Sequence, residues 1–352
     1  MFLSNIFYDK NNPPKPVTQS FSGKTVLITG ATTGIGLETA KKLAALDADR
    51  VIITARTEEK GRAAKKQIED FVAAQPTRQT GIKSEIIVLT LEMSSFKQIR
   101  DFVTQLRLHT SSLDAAILNA GLMQADYVQT EDGWEEALHV NGLGSFLLGV
   151  LILPILIAKA DVKDSSYKPH LTFVSSGRAF AVNAEKEKAW VKSEQPLEYV
   201  SSQENFVPGL AAMASQYAKS KFVLEVNVRR LAVSDFNKDA HGKPKVIIST
   251  TCPGTTDSDI SRAIPSRIVR GLALFAFYFI ARKPEQSANG HISSLLTGDD
   301  MNGAMWKNDI KYPPGEAFYT DDAVRLAENL WSETRQMTLK LEPSTSPLLV
   351  GA

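Results

Sequence analysis

The sequence predicts an α/β fold, a single doubly wound parallel sheet with helices on both faces. Three observations predict it. From Lys24 onward, short β-branched runs alternate with longer amphipathic stretches, the trace left by strands and their crossover helices. A glycine-rich turn, Thr29-Gly30-Ala31-Thr32-Thr33-Gly34-Ile35-Gly36, lies between the first such run and the first amphipathic stretch. The 352 residues, 43% of them hydrophobic, suffice for one large core, and no internal period marks a repeat architecture.

Taken in order, strands are expected over Thr25 to Thr29, Arg50 to Ala55, Ile86 to Thr90, Ala115 to Asn119, Leu171 to Ser175 and Val246 to Thr251. Helices are expected over Ile35 to Leu46, Glu59 to Ala74, Ser95 to Leu106, Trp134 to Ala158 and Ala212 to Val233. Residues 22–332 form the domain on this reading, with 1–21 as an amino-terminal arm. An insertion at about 177–210 holds mixed charge and aromatics (Glu185, Lys186, Trp190, Tyr199, Phe206) without either period, and loops of that length are usually functional or mobile. Residues 333–352, with Pro343, Ser344, Thr345, Ser346 and Pro347, are expected as a loosely held tail.

Forty basic against 39 acidic residues leave a formal charge of +1, so no bulk field pulls the chain toward nucleic acid or an anionic membrane. Nucleic acid is not an expected partner. The single cysteine, Cys252, excludes an intramolecular disulfide and suits a reducing compartment, so a cytoplasmic location is expected. The amino terminus reaches Asp9, Lys10 and Asn12-Pro13-Pro14-Lys15-Pro16 too soon for a signal-peptide core. Two apolar runs, Leu143 to Ala158 and Leu272 to Ala281, fall short of the roughly 18 to 20 residues of a span, and Pro154 interrupts the first. Buried helices are expected there, with membrane contact of the second run as the competing use. The five histidines are dispersed without ligand spacing, so no metal site is expected.

Glycines between a strand and a helix let the backbone turn tightly and approach a pyrophosphate, whose charge is met by amides at the helix amino terminus. Here three residues separate Gly30 from Gly34, and Ile35-Gly36 follows. Further elements come in order: Asn119-Ala120-Gly121, Val140-Asn141-Gly142-Leu143-Gly144, Ser175-Ser176, Tyr217-Ala218-Lys219-Ser220-Lys221 and Pro253-Gly254. The set resembles the short-chain dehydrogenase/reductase family over about residues 22–310, and Glu131-Asp132-Gly133-Trp134-Glu135 leading into Phe146-Leu147-Leu148 is similar to its retinol-dehydrogenase-like branch and fungal relatives. The resemblance implies a Rossmann-type fold, a nicotinamide dinucleotide and hydride transfer between it and a carbonyl or alcohol carbon. It assigns cofactor contacts to Gly30, Thr32, Thr33, Gly34, Ile35, Gly36, Glu92, Asn119, Ala120, Gly121, Pro253, Gly254, Thr256 and Ser258, together with Tyr217 and Lys221. Three positions depart from the family pattern: Leu118 replaces an asparagine, Glu92 an aspartate, and Ser258 a threonine.

Cofactor choice turns on the end of the second strand, where NAD enzymes place a carboxylate for the ribose hydroxyls. This chain has Ala55 and then Arg56. A guanidinium there binds a 2′-phosphate through paired charge-assisted bonds, so NADP(H) is expected.

Tyr217 and Lys221, four apart on an expected helix, share a face and can act on one substrate atom. A phenol near its usual pKa of about 10 is too weak an acid for exchange near neutrality, and the Lys221 ammonium and the oxidised nicotinamide ring are both expected to lower it. Ser176 is expected to donate to the same substrate oxygen, with Ser175 as the competing serine. By resemblance, Asn141 positions a water that links Lys221 to solvent. Cys252 is expected as a small buried filler.

The function expected is reduction or oxidation of a bulky, largely apolar small molecule, with secondary metabolism among the settings left open. Residues 264–280, the core of a segment at about 255–283, are expected with 177–210 as a substrate lid. A membrane-associated retinoid, steroid or lipid dehydrogenase stands as an alternative, as does redox-neutral use of the fold in dehydration, epimerisation or cyclisation. Both homodimer and monomer remain open, because many relatives pair through the helices holding Asn141 and Tyr217 and the insertion could block that surface.

Overall fold

The computed structural model describes residues 8–75, 84–161, 167–257, 281–315 and 318–352. Among them, one eight-stranded sheet runs through the molecule in the order β3-β2-β1-β4-β5-β6-β7-β8. Its strands are β1 (Thr25–Ile28), β2 (Arg50–Ala55), β3 (Glu85–Thr90), β4 (Ala115–Leu118), β5 (His170–Val174), β6 (Ile247–Thr251), β7 (Met305–Lys307) and β8 (Ile310–Tyr312). Pairing is parallel throughout except for the β7/β8 hairpin. The winding reverses between β1 and β4, which opens a crevice beyond the carboxyl ends of those strands.

Alternation along the strands feeds two cores, because successive side chains point to opposite faces. Val26, Ile28, Val51, Ile53 and Ile117 face α1 (Gly34–Ala45) and α2 (Glu58–Ala73). Leu27, Ile52, Ala116, Leu171 and Phe173 join the other core with α3 (Phe96–His109) and α4 (Glu136–Ala160). Two short helices, α5 (Lys188–Lys192) and α6 (Pro196–Ser201), precede α7 (Leu210–Ala232), and α8 (Pro284–Ser293) and α9 (Asp321–Leu341) complete the shell.

All six expected strands form within one residue of their expected bounds. The five expected helices form as well, with one internal difference. In α4, residues His139–Gly144 make a π-helical turn, and the Ser145 hydroxyl donates to the Val140 carbonyl at 2.8 Å. Helix α4 is long and apolar enough to cross a membrane, yet 89% of its most apolar window is buried inside the protein, so its hydrophobicity serves the core.

Two expectations need correction. The insertion is not a structureless loop: it contains α5 and α6 and buries Trp190, whose indole donates to the Pro196 carbonyl at 2.8 Å. Helices of five and six residues are too short to show a period in sequence. Nor is the carboxyl terminus loose. Helix α9 buries Leu326, Leu330, Trp331, Thr334 and Thr338, and a 3-10 stretch over Pro343–Leu349 buries Leu348 and Leu349. The stripe is hidden because two of its members are threonines, made acceptable inside by bonds from Asn227 to Thr334 at 3.1 Å and from Thr338 to the Thr334 carbonyl at 2.8 Å.

His291 on α8 is fully buried and shares a 3.2 Å hydrogen bond with the Thr39 hydroxyl. Burial lowers its pKa to about 3, so the unfolded chain takes up a proton between about pH 6.5 and 3 that the native state refuses. The stability this neutral imidazole contributes is present above about pH 6.5 and lost as pH falls. Denaturant unfolding at pH 7 and pH 5 should therefore show a wild-type loss that His291→Gln reduces by on the order of 2 kcal/mol. Equal pH dependence in the two proteins would contradict this.

Candidate active site

The glycine turn sits where β1 ends and α1 begins. Gly30 and Gly34 have positive φ of 64° and 56°, a region that side chains rarely adopt. A Cβ on Gly30 would lie 2.9 Å from the Ala120 Cα, and one on Gly36 would lie 2.5 Å from the Gly30 carbonyl and 2.6 Å from Asn119 Nδ2. Asn119 Nδ2 donates to the carbonyls of Thr29 and Gly30 at 3.0 and 3.1 Å, and the Thr29 hydroxyl accepts from the Ala120 amide at 3.0 Å. Asn119 thus acts on the turn from behind. At the mouth, the cap residue Thr33 makes no side-chain bond to the first turn of α1, and that turn holds no acidic residue. Helix-start amides left without a side-chain cap, with the positive end of the helix behind them, suit a pyrophosphate.

Beyond β2, Ala55 is buried and Arg56 exposed. Glu92 is half-buried, and its carboxylate accepts from the Ser94 amide at 3.1 Å, which occupies one oxygen in its own turn. Ser258 and residues 264–280 lie outside the described residues, as does most of the segment expected as a lid.

Across the crevice, four elements converge. The π turn of α4 buries Asn141, whose side chain donates to the Leu122 carbonyl at 2.8 Å and Ser220 Oγ at 3.0 Å and accepts from the Leu122 amide at 2.9 Å. Asn141 therefore pins the loop after β4. Gly121 in that loop passes so close that a Cβ would stand 3.0 Å from Asn141 Oδ1 and 3.6 Å from Lys221 Nζ. Helix α7 delivers Tyr217 and Lys221 from one face, with the Lys221 nitrogen 5.9 Å from the Tyr217 ring centre. Lys221 is buried and donates to the Val174 carbonyl at 2.7 Å. Two residues on, Ser176 stands beside the Tyr217 phenol and accepts from the Arg178 amide at 3.2 Å, whereas Ser175 is buried.

Without the nicotinamide, the protein alone does not depress the phenol. Loss of solvent pushes Tyr217 up to about 12, reinforced by Cys252 and opposed by Ser176 and Arg178. Burial also brings Lys221 down to about 8, opposed by Glu225 and Cys252. Cys252 is buried at the end of β6, and its sulfur accepts from the Gly177 amide at 3.2 Å.

Several residues that build this site have no motif. Arg282, fully buried, donates to the carbonyls of Asp9 at 2.5 Å, Asn12 at 2.9 Å and Pro253 at 3.2 Å, and to Asn308 Oδ1 at 2.6 Å. Asp9 in turn pairs with Lys307 at 3.0 Å. Gly254, at φ 72°, lets Arg282 approach, since a Cβ there would meet the guanidinium at 2.9 Å. Thr256 is held by Ser287 at 2.7 Å. So Pro253, Gly254 and Thr256 stand beside the crevice on a lattice that includes the amino-terminal arm. Only the run of buried polar groups far apart in sequence reveals it. Among the described residues, no three His, Cys, Asp or Glu side chains gather as a metal site.

A doubly wound sheet with an anion-ready glycine turn and a Ser-Tyr-Lys cluster at its switch point defines a dinucleotide-fold oxidoreductase class. Comparison narrows the class: the short chain dehydrogenase family model matches residues 24–176. Short-chain dehydrogenase/reductase ffsI of Aspergillus flavipes is 31% identical over 347 residues, covering 99% of this chain and 95% of that one. The corresponding phmF protein of Phaeosphaeria nodorum is 30% identical over 345 residues, covering 98% and 95%. The chain belongs to the short-chain dehydrogenase/reductase family, oxidoreductases that act on small molecules with nicotinamide cofactors. Among solved structures, the Pseudomonas aeruginosa RhlG/NADP active-site complex shares the fold at a TM-score of 0.57 and 22% identity, covering 82% of this chain and 95% of that one.

Gly36→Ala tests how tightly the turn is built. The added methyl has backbone on one side and a committed amide on the other, so a loss of about 1 to 3 kcal/mol in unfolding free energy is expected, with weaker dinucleotide binding by fluorescence titration. An unchanged urea midpoint would show that the turn has slack.

Proposed function

We propose that the protein is an NADP(H)-dependent oxidoreductase that interconverts a ketone or aldehyde with its alcohol on a bulky, largely apolar small molecule. The meeting of Ser176, Tyr217 and Lys221 at the end of β5, facing the glycine turn, carries this reading. A bound nicotinamide would supply the hydride. Ser176 and Tyr217 hold the substrate oxygen, Tyr217 gives or takes its proton, and Lys221 stabilises the phenolate and would also hold the ribose of a bound cofactor. Asn141 keeps the loop carrying Gly121 against that group.

Preference for the phosphorylated cofactor is supported by Ala55 and exposed Arg56 where a ribose-binding carboxylate would otherwise repel a 2′-phosphate. The apolar character of the substrate is supported by the sequence after Pro253-Gly254, which includes Leu272, Phe275 and Phe279. A role in secondary metabolism accords with the fungal origin of the relatives, and a cytoplasmic setting with the lone cysteine. Helix α9 packs along α7 and α6 packs on α9, covering a surface through which relatives pair, so a monomer is the assembly proposed.

A screen of ketones and aldehydes with NADPH, read by loss of nicotinamide absorbance, is expected to find turnover. Tyr217→Phe should abolish it while binding NADPH, and full activity in that variant would sink the assignment. Arg56→Ala should weaken NADPH by about 1 to 3 kcal/mol, the scale of a charged hydrogen bond, and leave NADH unaffected. Equal losses for both cofactors would remove Arg56 from the phosphate site.

A further inference from the structure

Helix α7 carries a second charged pair on the face of Tyr217 and Lys221. Residues 217, 221, 225 and 229 follow at four-residue steps, so their side chains form one column. Glu225 is fully buried, and neither of its oxygens takes a complete hydrogen bond from the protein. The hydroxyls of Ser175 at the end of β5 and Thr250 in β6 face it short of that geometry. Arg229 Nε lies 3.8 Å from one oxygen, and its guanidinium rests over the rings of Phe318 at 4.9 Å and Phe180 at 5.6 Å. A helix residue wanted only for packing at this depth would be aliphatic, because a buried carboxylate is costly unless opposite charge repays it.

Basic residues stand one helical turn away on either side of Glu225, Arg229 at 3.8 Å and Lys221 with its nitrogen on the Val174 carbonyl. We propose that Glu225 is a positioning residue for Lys221, its carboxylate form favoured by Arg229 and in turn favouring the Lys221 ammonium beneath Tyr217. This rests on the reading of Tyr217 and Lys221 given above. Burial is the largest influence on both and works against their charge, so the Glu225 carboxyl is pushed above its ordinary range and Lys221 down to about 8. Arg229 is the strongest influence restoring it at Glu225, followed by Ser175, Thr250 and Lys221. Glu225 is the strongest influence restoring it at Lys221, with Cys252 second. Arg178 and Ser176 act on Tyr217 directly, from the β5 side. The column passes charge inward from the rim of the protein to the phenol, so neutralising Glu225 makes the ammonium, and hence the phenolate, harder to form.

The test is a titration of the whole protein labelled with ¹³C-lysine, following the Lys221 Cε resonance, assigned by its loss in Lys221→Arg. In Glu225→Gln the Lys221 midpoint should fall by on the order of one pH unit or more, and Glu225→Asp should restore most of it. The acid limb of kcat/KM for oxidation of a secondary alcohol found by the screen should move alkaline by a similar amount, with NADPH affinity unchanged. An unmoved midpoint, or a rate lowered equally at every pH, would overturn the proposal. Should Glu225→Gln not fold, Arg229→Met, which strips the carboxylate of its partner, must lower the same midpoint or the proposal fails. Activity in Tyr217→Phe would instead overturn the site reading, a result the lysine titration does not depend on.

Discussion

The crevice depends on one close contact, that of the turn after β1 with the end of β4. Asn119 and Ala120 approach Gly30 and Gly36 so nearly that no side chain fits between, and both hydrogens of the Asn119 amide are spent on turn carbonyls. The glycines are needed first by the protein's own backbone. Their absence of side chains lets β1 and β4 end at one level, and the first turn of α1 then faces the crevice without a side-chain cap. A dinucleotide site of this kind follows from packing constraints that operate before any ligand arrives.

The parallel sheet was legible because its strands are buried on both faces and therefore stand out as apolar runs of β-branched residues, with turn residues at each end. The site motifs were legible because each falls at a strand end or on one helix, where spacing alone fixes neighbours. What failed to show were features whose logic is tertiary. The α9 stripe includes Thr334 and Thr338, which look polar until Asn227 is seen opposite. Helix α6 begins at residue 196 because Glu333, far along the chain, accepts from the amides of Leu197 and Glu198 at 2.7 and 3.3 Å. No local pattern encodes such a cap.

Arg282 shows the same limit at the site itself. In sequence it is one basic residue after an apolar run. In the fold it gathers the carbonyls of Asp9, Asn12 and Pro253, which makes the amino-terminal arm part of the wall beside Gly254. Charged hydrogen bonds contribute about 1.5 to 3 kcal/mol each when buried, enough for a handful to hold the described part of the arm in place. The boundary between an arm and a domain is therefore set by these contacts and not by where strand periodicity starts.

Buried polar groups occur in several parts of this protein, among them Arg282, Asp114 and Glu135. Its buried histidines are kept neutral by loss of solvent, as with His139 and His170, both lowered to about 4. Around α7, by contrast, Lys221, Glu225 and Arg229 lie in sequence on one face, against Ser175 and Thr250. Such groups oppose folding stability unless their charges answer one another, and a fold that only needed to pack α7 on the sheet had cheaper residues available. Placing this cost in the helix that bears Tyr217 and Lys221, while the glycine turn across the crevice is fixed by neutral backbone contacts, divides the work of the site: one wall is shaped by steric exclusion and the other is set by charge.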